Sequence, residues 1–246
     1  MNVLGVHYIN GMFEAGIIDT DSGEIYSEIV RKTVPDPGSP KTVTELFKEV
    51  VQQFEGITRI GLSFPGIIQN GIVKTATSPN KSWIGLNPTR IFSEATAKSV
   101  QVINTIDAMG FAEIQFGSGL GHNGLVILLV FDNGIGTAVF NNGVLIPNTE
   151  LGNLYYKDKV IEQYASDNTR KQEQLTWKKW GKRLSKYLQY LERVLNPELI
   201  IIGGSVRKKY EKYETYLHKV QTPIIPAHFE NNGCIIGAAI TSIHYQ

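Results

Sequence analysis

The sequence contains very little cysteine, no excess of charge and no long apolar segment. Cys234 is the single cysteine among 246 residues, which excludes an internal disulfide and a zinc site made of several cysteines. The 24 basic and 23 acidic residues nearly cancel, so overall charge gives no attraction to nucleic acid or to a membrane surface. No apolar run approaches the roughly 20 residues of a membrane-spanning helix. We therefore expect a globular, cytoplasmic protein without nucleic-acid or membrane partners.

Glycine-containing turns divide the first part of the chain into short strands. Three strand-like segments predict a meander: residues 2–9, 13–19 and 24–31. The turns are at Asn10-Gly11 and at residues 21–23. Apolar residues at helical spacing then predict a helix over residues 43–54. A strand at 57–64 and a tight hairpin at Asn70-Gly71 follow.

The second part of the chain repeats this order. Its meander is predicted from three segments: residues 125–131, 137–140 and 143–147. A long amphipathic pattern predicts a helix over residues 177–195, which Thr176 caps and Asn196-Pro197 ends. A buried strand at 199–204 comes next, and the basic residues after Gly204 predict a further helix.

The repeated order of strands and helices predicts an α/β protein with two similar lobes. We predict a small N-terminal lobe of residues 1–105, joined by a C-terminal helix at 232–246, and a large lobe of residues 106–231. Clefts between such lobes bind ligands. A dinucleotide-dependent oxidoreductase is excluded, because no G-x-G-x-x-G motif follows the first strand.

Five separated segments carry a resemblance to a known family. They are 81–85 (KSWIG), 148–152 (NTELG), 175–180 (LTWKKW), 190–204 (YLERVLNPELIIIGG) and 222–226 (TPIIP). In this order, and over nearly the whole chain, they resemble the polyphosphate glucokinase branch of the ROK (repressor, open reading frame, kinase) family. The resemblance implies an actin-like, ribonuclease H-like fold of two lobes with a central cleft.

The same resemblance implies an activity. Its relatives transfer a phosphoryl group from polyphosphate or ATP, with Mg²⁺, to the 6-hydroxyl of glucose. It also implies a homodimer that binds a glucose-like sugar. We assign no metal ligand in this sequence and no cofactor beyond Mg²⁺ with ATP or polyphosphate, should the chain be active.

The resemblance places the catalytic base at Thr105. Relatives carry Asn-Asp where this chain has Asn104-Thr105, and their aspartate accepts the proton of the sugar hydroxyl. Threonine is no base at neutral pH, and losing a positioned base typically costs about 10²- to 10⁴-fold in rate. Asp107 is the nearest carboxylate, but two positions along a helix turn the side chain by about 200°. Asp107 is therefore either a weak substitute base or, as we favour, a carboxylate stabilised by the helix N-terminus.

The first phosphate-binding segment departs from the family pattern. Relatives have an aspartate, a glycine-rich turn and a lysine, which hold metal and phosphate. This chain has His7 in place of the aspartate and Glu14 in place of the lysine, with Ile9 and Met12 flanking the turn. Neither apolar residue takes the positive-φ conformations that glycine allows. A negative charge at Glu14 repels a polyphosphate.

Two further glycine pairs are candidates for phosphate or nucleotide binding. Gly134 and Gly136 are retained, but Asp132-Asn133 replaces the Gly-Thr of relatives and adds a negative charge. Gly203 and Gly204 are also retained, followed by Ser205 in place of a third glycine. A hairpin turn without ligand, or tight packing of helix on strand, explains these glycines equally well.

The sugar-binding positions match the family better. Asn104, Glu150 and Gly152 are retained, and Asn153 replaces a histidine while keeping one donor and one acceptor group. Converging polar groups suit a sugar. Trp83 is also retained, although a role in the core would account for it.

Basic residues cluster in two later segments. They are Lys178, Lys179, Lys182, Arg183, Lys186, Arg207, Lys208, Lys209 and Lys212. They form either a polyphosphate track or ordinary solvated helix faces.

Two functional hypotheses follow. The first is a sugar kinase of the polyphosphate glucokinase type whose activity is strongly impaired. The second is a pseudokinase, an actin-like scaffold that binds a sugar or a protein partner without catalysis. Loss of the base, the metal-holding acid, the first glycine turn and the lysine favours impaired or absent chemistry.

Overall fold

The computed structural model describes residues 1–76, 81–156 and 158–244. The chain divides into two compact units: unit 1 comprises residues 1–112 and 231–246, and unit 2 comprises residues 113–230. The predicted lobes of residues 1–105 with 232–246 and of residues 106–231 stay a prediction. Among the described helices, none is both long and apolar enough to cross a membrane.

The chain up to residue 116 alternates short strands and helices. In chain order these are β1 (Asn2–Ile9), β2 (Met12–Asp19), β3 (Val30–Thr33), α1 (Pro40–Val51), β4 (Arg59–Phe64), β5 (Ile68–Gln69), β6 (Ile72–Val73), α2 (Pro88–Thr96), β7 (Ser99–Asn104) and α3 (Thr105–Phe116). Five strands form one sheet in the order β3-β2-β1-β4-β7, in which β1, β4 and β7 are parallel. Strands β5 and β6 form the predicted hairpin at Asn70-Gly71.

The turn between β1 and β2 confirms the first predicted turn. Asn10 and Gly11 both have positive φ, 50° and 72°, as a two-residue hairpin turn of type I′ requires. The prediction of the third strand at 24–31 was wrong in its bounds. Ile25 forms only an isolated bridge with Ile18. The backbone N–H of Ile17 donates to the Ser27 hydroxyl and not to a backbone carbonyl of a neighbouring strand.

Helix α1 begins three residues earlier than the apolar spacing predicted. Ser39 caps it by accepting a hydrogen bond from the Thr42 backbone N–H at 3.3 Å, and Pro40 occupies the first turn. Phe54 lies beyond its end, yet is buried in the same core. Polar capping residues, which apolar periodicity does not register, therefore set this boundary.

The two faces of strand β1 have different coverings. Leu4, Val6 and Tyr8 belong to an apolar core shared with α1 and α2. Gly5 and His7 point to the opposite face, because side chains alternate along a strand.

Unit 2 repeats the strand order of unit 1. Its elements are β8 (Leu125–Phe131), β9 (Ile135–Asn141), β10 (Val144–Ile146), β11 (Tyr155–Tyr156), β12 (Lys159–Val160), α4 (Glu162–Ala165), α5 (Asp167–Gln172), α6 (Trp177–Leu195), β13 (Leu199–Gly204) and β14 (Ile224–Pro226). The sheet runs β10-β9-β8-β13-β14, with β8, β13 and β14 parallel. In both units the first three strands form a meander beside two parallel strands, which matches the predicted duplication.

Helix α6 confirms its predicted bounds. Thr176 caps it through its hydroxyl, which accepts from the Lys179 backbone N–H at 3.3 Å, and Asn196 ends it in a left-handed conformation. The helix predicted after Gly204 was wrong. The chain instead forms a 3₁₀ helix at Arg207–Lys212, interrupted where Lys209 has non-helical φ and ψ.

The last helix, α7 (Asn232–His244), belongs to unit 1. It packs on the face of the sheet that carries Gly5 and Gly61. A Cβ at Gly61 would stand 1.7 Å from the Ala238 carbonyl oxygen, and one at Gly5 would stand 2.2 Å from that of Ile235. Residues 245–246 of the predicted C-terminal helix lie outside the described residues.

The close contact between α7 and α3 is testable by substitution. A Cβ at Gly237 would stand 1.6 Å from the Ala108 carbonyl oxygen, so Gly237→Ala forces two backbones apart. We expect a loss of unfolding free energy at or above the upper end of the ~1–3 kcal/mol typical of overpacking, measured by urea denaturation. Gly38→Ala is the control, because its Cβ meets only the Asp36 carboxylate, which can rotate away. Equal stability of both variants would contradict the contact.

Candidate functional site

Asn104, at the end of β7, uses both ends of its amide within unit 1. Its Oδ1 accepts hydrogen bonds from the backbone N–H groups of Ile106 at 2.8 Å and Asp107 at 3.3 Å, which makes it the cap of α3. Its Nδ2 donates to the Gly66 carbonyl at 2.9 Å. The side chain is half-buried. Its orientation is therefore fixed by the fold before any ligand binds.

Thr105 begins α3 at the position predicted for the base. Its hydroxyl oxygen is buried and has no hydrogen-bond partner among the described residues. The Cys234 thiol lies 3.8 Å from the Thr105 carbonyl oxygen. Burial, and secondarily the charge of Glu14, raises the pKa of that thiol to about 12, so Cys234 has no nucleophilic role at neutral pH.

Asp107 is buried in the first turn of α3, with 1% of its surface exposed. This position gives its carboxylate the favourable interaction with the helix N-terminus that the sequence predicted. Its alternative role as a weak substitute base stays a prediction.

A polar row crosses the sheet of unit 1 at the carboxyl ends of β1 and β4. Ser63, His7, Glu14 and Arg31 occupy directly opposed positions on four neighbouring strands. His7 Nδ1 lies 2.6 Å from Ser63 Oγ, and Arg31 Nε donates to Glu14 Oε1 at 2.8 Å. The residues at the family's aspartate and lysine positions are thus neighbours, with the acidic group now on the lysine side.

His7 is neutral in this environment. Burial lowers the pKa of His7 from 6.5 to about 4, and the nearby Glu14 charge opposes this only in part. Glu14, which is 7% exposed, is compensated by Arg31. The row therefore presents a neutral imidazole and a compensated carboxylate, neither of which attracts phosphate.

The turn between β8 and β9 in unit 2 carries an additional carboxylate. A Cβ on Gly134 would stand 2.6 Å from Oε2 of Glu162, so that carboxylate lies directly against the turn. Glu162 also acts on Glu150: partial loss of hydration, and then the Glu162 charge, raise the pKa of Glu150. Gly136 lies within β9, paired with Val130, and is no part of the turn.

Asp132 connects this turn to the end of β13. Its Oδ1 accepts a hydrogen bond from the Ser205 backbone N–H at 2.9 Å. The Ser205 hydroxyl donates to the Asp167 carboxylate, also at 2.9 Å. The backbone N–H of Ser205, which follows Gly203 and Gly204, is therefore already hydrogen-bonded to a carboxylate of the chain.

Asp167 is itself held by cations. Arg170 Nε lies 2.6 Å and Lys171 Nζ 2.7 Å from its two carboxylate oxygens. Burial raises the pKa of Asp167, but hydrogen bonds from Lys171, Arg170 and Ser205 outweigh it and the pKa is lowered. Asp167 is therefore ionised at neutral pH, and Arg170 and Lys171 compensate its charge beside Ser205.

The predicted glycines have packing roles. Gly204 has φ +81°, and a Cβ there would stand 2.6 Å from the Phe131 carbonyl oxygen. Gly203 pairs with Val130 on β8. A Cβ on Gly152 would stand 2.3 Å from the Ile135 carbonyl oxygen. At Gly204 and Gly152 these contacts leave no room for a side chain, and they are made to strands, not to a helix. A ligand-binding role of the three glycines stays a prediction.

The predicted sugar residues of unit 2 come together on one turn. Glu150 precedes a 3₁₀ helix at Leu151–Asn153, and its carbonyl accepts from the Asn153 backbone N–H at 3.0 Å. The side chains of Glu150 and Asn153 are exposed, while Gly152 is buried. Trp83 is 1% exposed and packs on Phe64 and Phe92, so it is a core residue.

A polar pocket of about 260 Å³ lies beside the β8–β9 turn; we call it the acidic pocket. Asn133 borders it, and its charged lining residues are Glu162 and Glu173. Such a surface disfavours a polyanion.

Among the described residues, no group of three or more His, Cys, Asp and Glu side chains is arranged to hold a metal by itself. Mg²⁺ that arrives with ATP or polyphosphate is held largely by phosphate oxygens and water and takes only one or two carboxylates from a protein. His7 offers a nitrogen where Mg²⁺ prefers oxygen, so this residue does not supply the carboxylate that the resemblance expects at its position.

Two sheets of the same strand order, each a three-stranded meander beside two parallel strands, define a duplicated α/β protein of the actin-like fold class. The sequence profile of the ROK family matches residues 4–154, and the chain belongs to this family. The polyphosphate glucokinase of Mycobacterium tuberculosis is 37% identical over 231 residues, which cover 94% of this chain and 87% of the relative. That of Mycobacterium leprae is 34% identical, covering 97% and 74%.

Solved structures agree with this assignment. The inorganic polyphosphate/ATP-glucomannokinase of Arthrobacter sp. strain KM has a TM-score of 0.88 and 32% identity, covering 100% of this chain and 99% of that one. A ROK family glucokinase of Streptomyces griseus, solved with glucose and AMPPNP, has a TM-score of 0.79 over 99% and 100% of the chains. At 17% identity it supports the fold alone. The predicted α/β, actin-like sugar-kinase fold is confirmed.

Sequence reasoning missed the residues that accompany the retained glycines. Glu162 and Asp167, with the two cations that pair with Asp167, lie far along the chain from the β8–β9 turn. Ser166 and Asp167 carry a local pattern, a capping serine before an acidic first turn, that marks the start of α5. Nothing in that pattern indicates pairing with Ser205.

The buried neutral His7 predicts a pH-dependent stability. The unfolded imidazole takes up a proton near 6.5, while the folded one resists until about pH 4. Stability from this residue is therefore present above pH 6.5 and falls by on the order of 3 kcal/mol between pH 6.5 and 4. In His7→Asn this component should vanish, so the difference in unfolding free energy between the two proteins should change across that window. Parallel curves would contradict a buried neutral His7.

Proposed function

We propose that this protein binds a glucose-like hexose and transfers phosphoryl groups from polyphosphate or ATP to it only at a strongly impaired rate. The proposal takes its sugar from the names of the polyphosphate glucokinases it resembles. It assigns sugar binding to Asn104, Glu150, Gly152 and Asn153, and any residual donor contact to Gly134, Gly136, Gly203 and Gly204.

The impairment is supported above all by carboxylates at the turn between β8 and β9 and at the turn after β13. We call these two the donor-side turns. Asp132 already accepts the Ser205 backbone N–H, and Glu162 lies against Gly134. A phosphate at these turns would meet negative charge and would have to displace a bond that the chain makes to itself. Backbone N–H groups at such turns normally serve the anion.

The acceptor side supports the same proposal. Thr105 cannot take the proton of the sugar hydroxyl at neutral pH. Asp107 is the remaining carboxylate of that turn and is buried. Without a positioned base the attack on phosphorus loses about 10²- to 10⁴-fold in rate.

The sugar side supports retained binding. Glu150 and Asn153 expose polar side chains on one turn, and Glu150 has a raised pKa because it has lost part of its hydration beside Glu162. A carboxyl group in such a position is a hydrogen-bond acceptor for a sugar hydroxyl.

A second candidate function is a pseudokinase, a scaffold that binds a sugar or a protein partner without catalysis. Simultaneous replacement at the base, the metal-holding acid, the glycine turn and the lysine favours it. We also propose a homodimer in the cytoplasm, as the resemblance implies. The absence of any turnover, together with measurable sugar binding, would select this second function.

Restoring the residues that the resemblance expects at four positions tests the cause of the impairment. Wild-type protein with glucose, Mg²⁺ and either ATP or polyphosphate is expected to form glucose 6-phosphate only slowly, whereas no product above background is the outcome expected of the pseudokinase. A variant with Thr105→Asp, His7→Asp, Glu14→Lys and Asp132→Gly is expected to give measurable product, because it restores base, acid, cation and an uncharged turn. Coupled spectrophotometric detection of glucose 6-phosphate measures both.

The matched control replaces Thr105→Asp by Thr105→Asn in the same background, which keeps the shape but supplies no base. It should lower the turnover of the repaired protein by at least about 10²-fold. Turnover in the wild type that disappears in Asp107→Asn would assign the base to Asp107 and would contradict the pseudokinase.

Sugar binding is tested separately from transfer. Isothermal titration calorimetry of the wild type with glucose should give a saturable heat, and Glu150→Gln should weaken binding by about tenfold, the loss of one charge-assisted hydrogen bond. Gln69→Ala is the control, because Gln69 lies in the exposed β5–β6 hairpin. No heat in wild type or variants would leave only the scaffold function.

A further inference from the structure

Six asparagines of the chain are each followed by glycine. The six pairs are Asn10-Gly11, Asn70-Gly71, Asn123-Gly124, Asn133-Gly134, Asn142-Gly143 and Asn232-Gly233. Glycine has no Cβ to shield its backbone nitrogen, so in such a pair this nitrogen can attack the preceding side-chain amide. The fold gives the six pairs different surroundings, and these decide how easily each of them reacts.

Three of the pairs are held by the fold. Asn232-Gly233 lies within α7, whose helical backbone fixes both residues. The Gly124 backbone N–H donates to Asn142 Oδ1 at 2.8 Å. That single bond engages the nitrogen of the Asn123-Gly124 pair and the amide of the Asn142-Gly143 pair. In these three pairs the reacting groups are thus fixed or already bonded.

Charge separates two of the remaining pairs. The attack requires that the glycine nitrogen lose its proton, and nearby carboxylates disfavour the negative charge that results. A Cβ on Gly134 would stand 2.6 Å from Oε2 of Glu162. A Cβ on Gly71 would instead face the side-chain amide of Asn87, whose Nδ2, a hydrogen-bond donor, is nearest at 3.0 Å. The surroundings of Asn70-Gly71 therefore favour the reaction more than those of Asn133-Gly134.

Strand length separates Asn70-Gly71 from Asn10-Gly11, which has the same turn geometry. The φ angles are 52° and 74° in the first pair and 50° and 72° in the second. Asn10-Gly11 joins two strands of eight residues inside a five-stranded sheet. Asn70-Gly71 joins two strands of two residues, which form a sheet of their own. A two-stranded hairpin is marginally stable by itself, so its tip opens at a lower free energy.

Opening of the hairpin is required for the reaction. In the left-handed conformation of Asn70 the Gly71 nitrogen points away from Cγ, and rotation about ψ has to bring the two together. The deprotonated nitrogen then attacks Cγ, the Cγ–Nδ2 bond breaks, and ammonia leaves with a proton from water. Water next opens the cyclic imide. Attack at Cγ gives aspartate, and attack at the backbone carbonyl carbon gives isoaspartate, in which the backbone runs through Cβ and Cγ.

We propose that Asn70-Gly71 is a modification site, at which the native protein spontaneously loses ammonia and accumulates aspartate and isoaspartate. Isoaspartate adds one carbon to the backbone of a two-residue turn. The base of the same hairpin holds Gly66, where a Cβ would stand 2.3 Å from the Thr75 carbonyl oxygen, and the Gly66 carbonyl accepts from Asn104 Nδ2. The proposal needs only water and therefore does not rest on the proposed function.

Peptide mapping by mass spectrometry tests the proposal on the full chain, aged in mildly alkaline buffer at physiological temperature. The conversion of each asparagine is followed by the mass gain from amide to acid, and isoaspartate is detected by enzymatic methylation. Residue 70 should convert at least about tenfold faster than residue 10, which corresponds to a difference of about 1.4 kcal/mol in the free energy of opening. In the urea-unfolded chain the six pairs should convert at similar rates, because the fold no longer separates them.

Two matched variants assign the product to its site. Asn70→Gly removes the reacting amide and keeps a residue that accepts positive φ, so most of the isoaspartate of the aged protein should disappear. Asn10→Gly makes the same change in the longer hairpin and should leave the yield of isoaspartate unchanged. Faster conversion at another pair of the native protein, equal losses in the two variants, or the same order of rates in the native and unfolded chains would each overturn the proposal.

Discussion

The contact between α7 and the glycines of β1 and β4 is the constraint on which unit 1 depends. Without side chains at Gly5 and Gly61 the helix backbone reaches the sheet itself, within 1.7 Å of where a Cβ of Gly61 would be. This contact covers one face of the sheet and buries His7 and Ser63 beside it. A histidine held there is forced to be neutral, because a charged ring would lose its hydration. The neutral state of His7 at the end of β1 thus follows from the packing of the α7 backbone on the sheet.

The turn between β8 and β9 and the turn after β13, at which we propose donor contact, are held by hydrogen bonds and packing within unit 2. The close packing of Gly204 on Phe131 and the strand position of Gly136 require no ligand. Asp132 takes the Ser205 N–H, and Asp167 takes the Ser205 hydroxyl with two cations behind it. A carboxylate held by such bonds stabilises the turn in place of a bound anion. This explains how the turns accommodate Asp132 and Asp167 without a ligand.

Charge is distributed unevenly within unit 2. The acidic pocket next to Asn133 contains Glu162 and Glu173, whereas a second cavity, on the outer side of α6, is lined by Lys182, Lys186 and Lys219, which form no ion pair within the described part of the chain. Arg183 lies on the same helix but is directed to Glu173 and stacks over Tyr164. The basic residues that the sequence grouped as one track therefore have different surroundings, and only some of them line a cavity.

The sequence by itself determined the order of the elements, because turns at Asn10-Gly11 and Asn70-Gly71, the cap at Thr176 and the period of α6 are local properties of a few adjacent residues. It also determined the family, through five matched segments. It misplaced β3 and the segment after Gly204, where the Ser27 hydroxyl and the conformation of Lys209 override local preference. Only the tertiary structure decided that Asp132 bonds Ser205, that Glu162 lies on Gly134 and that Lys219 joins Lys182 and Lys186. The residues in each of these contacts are far apart in the chain. Hydrogen bonds and charge interactions depend on the separation of groups in space, which the sequence alone does not give.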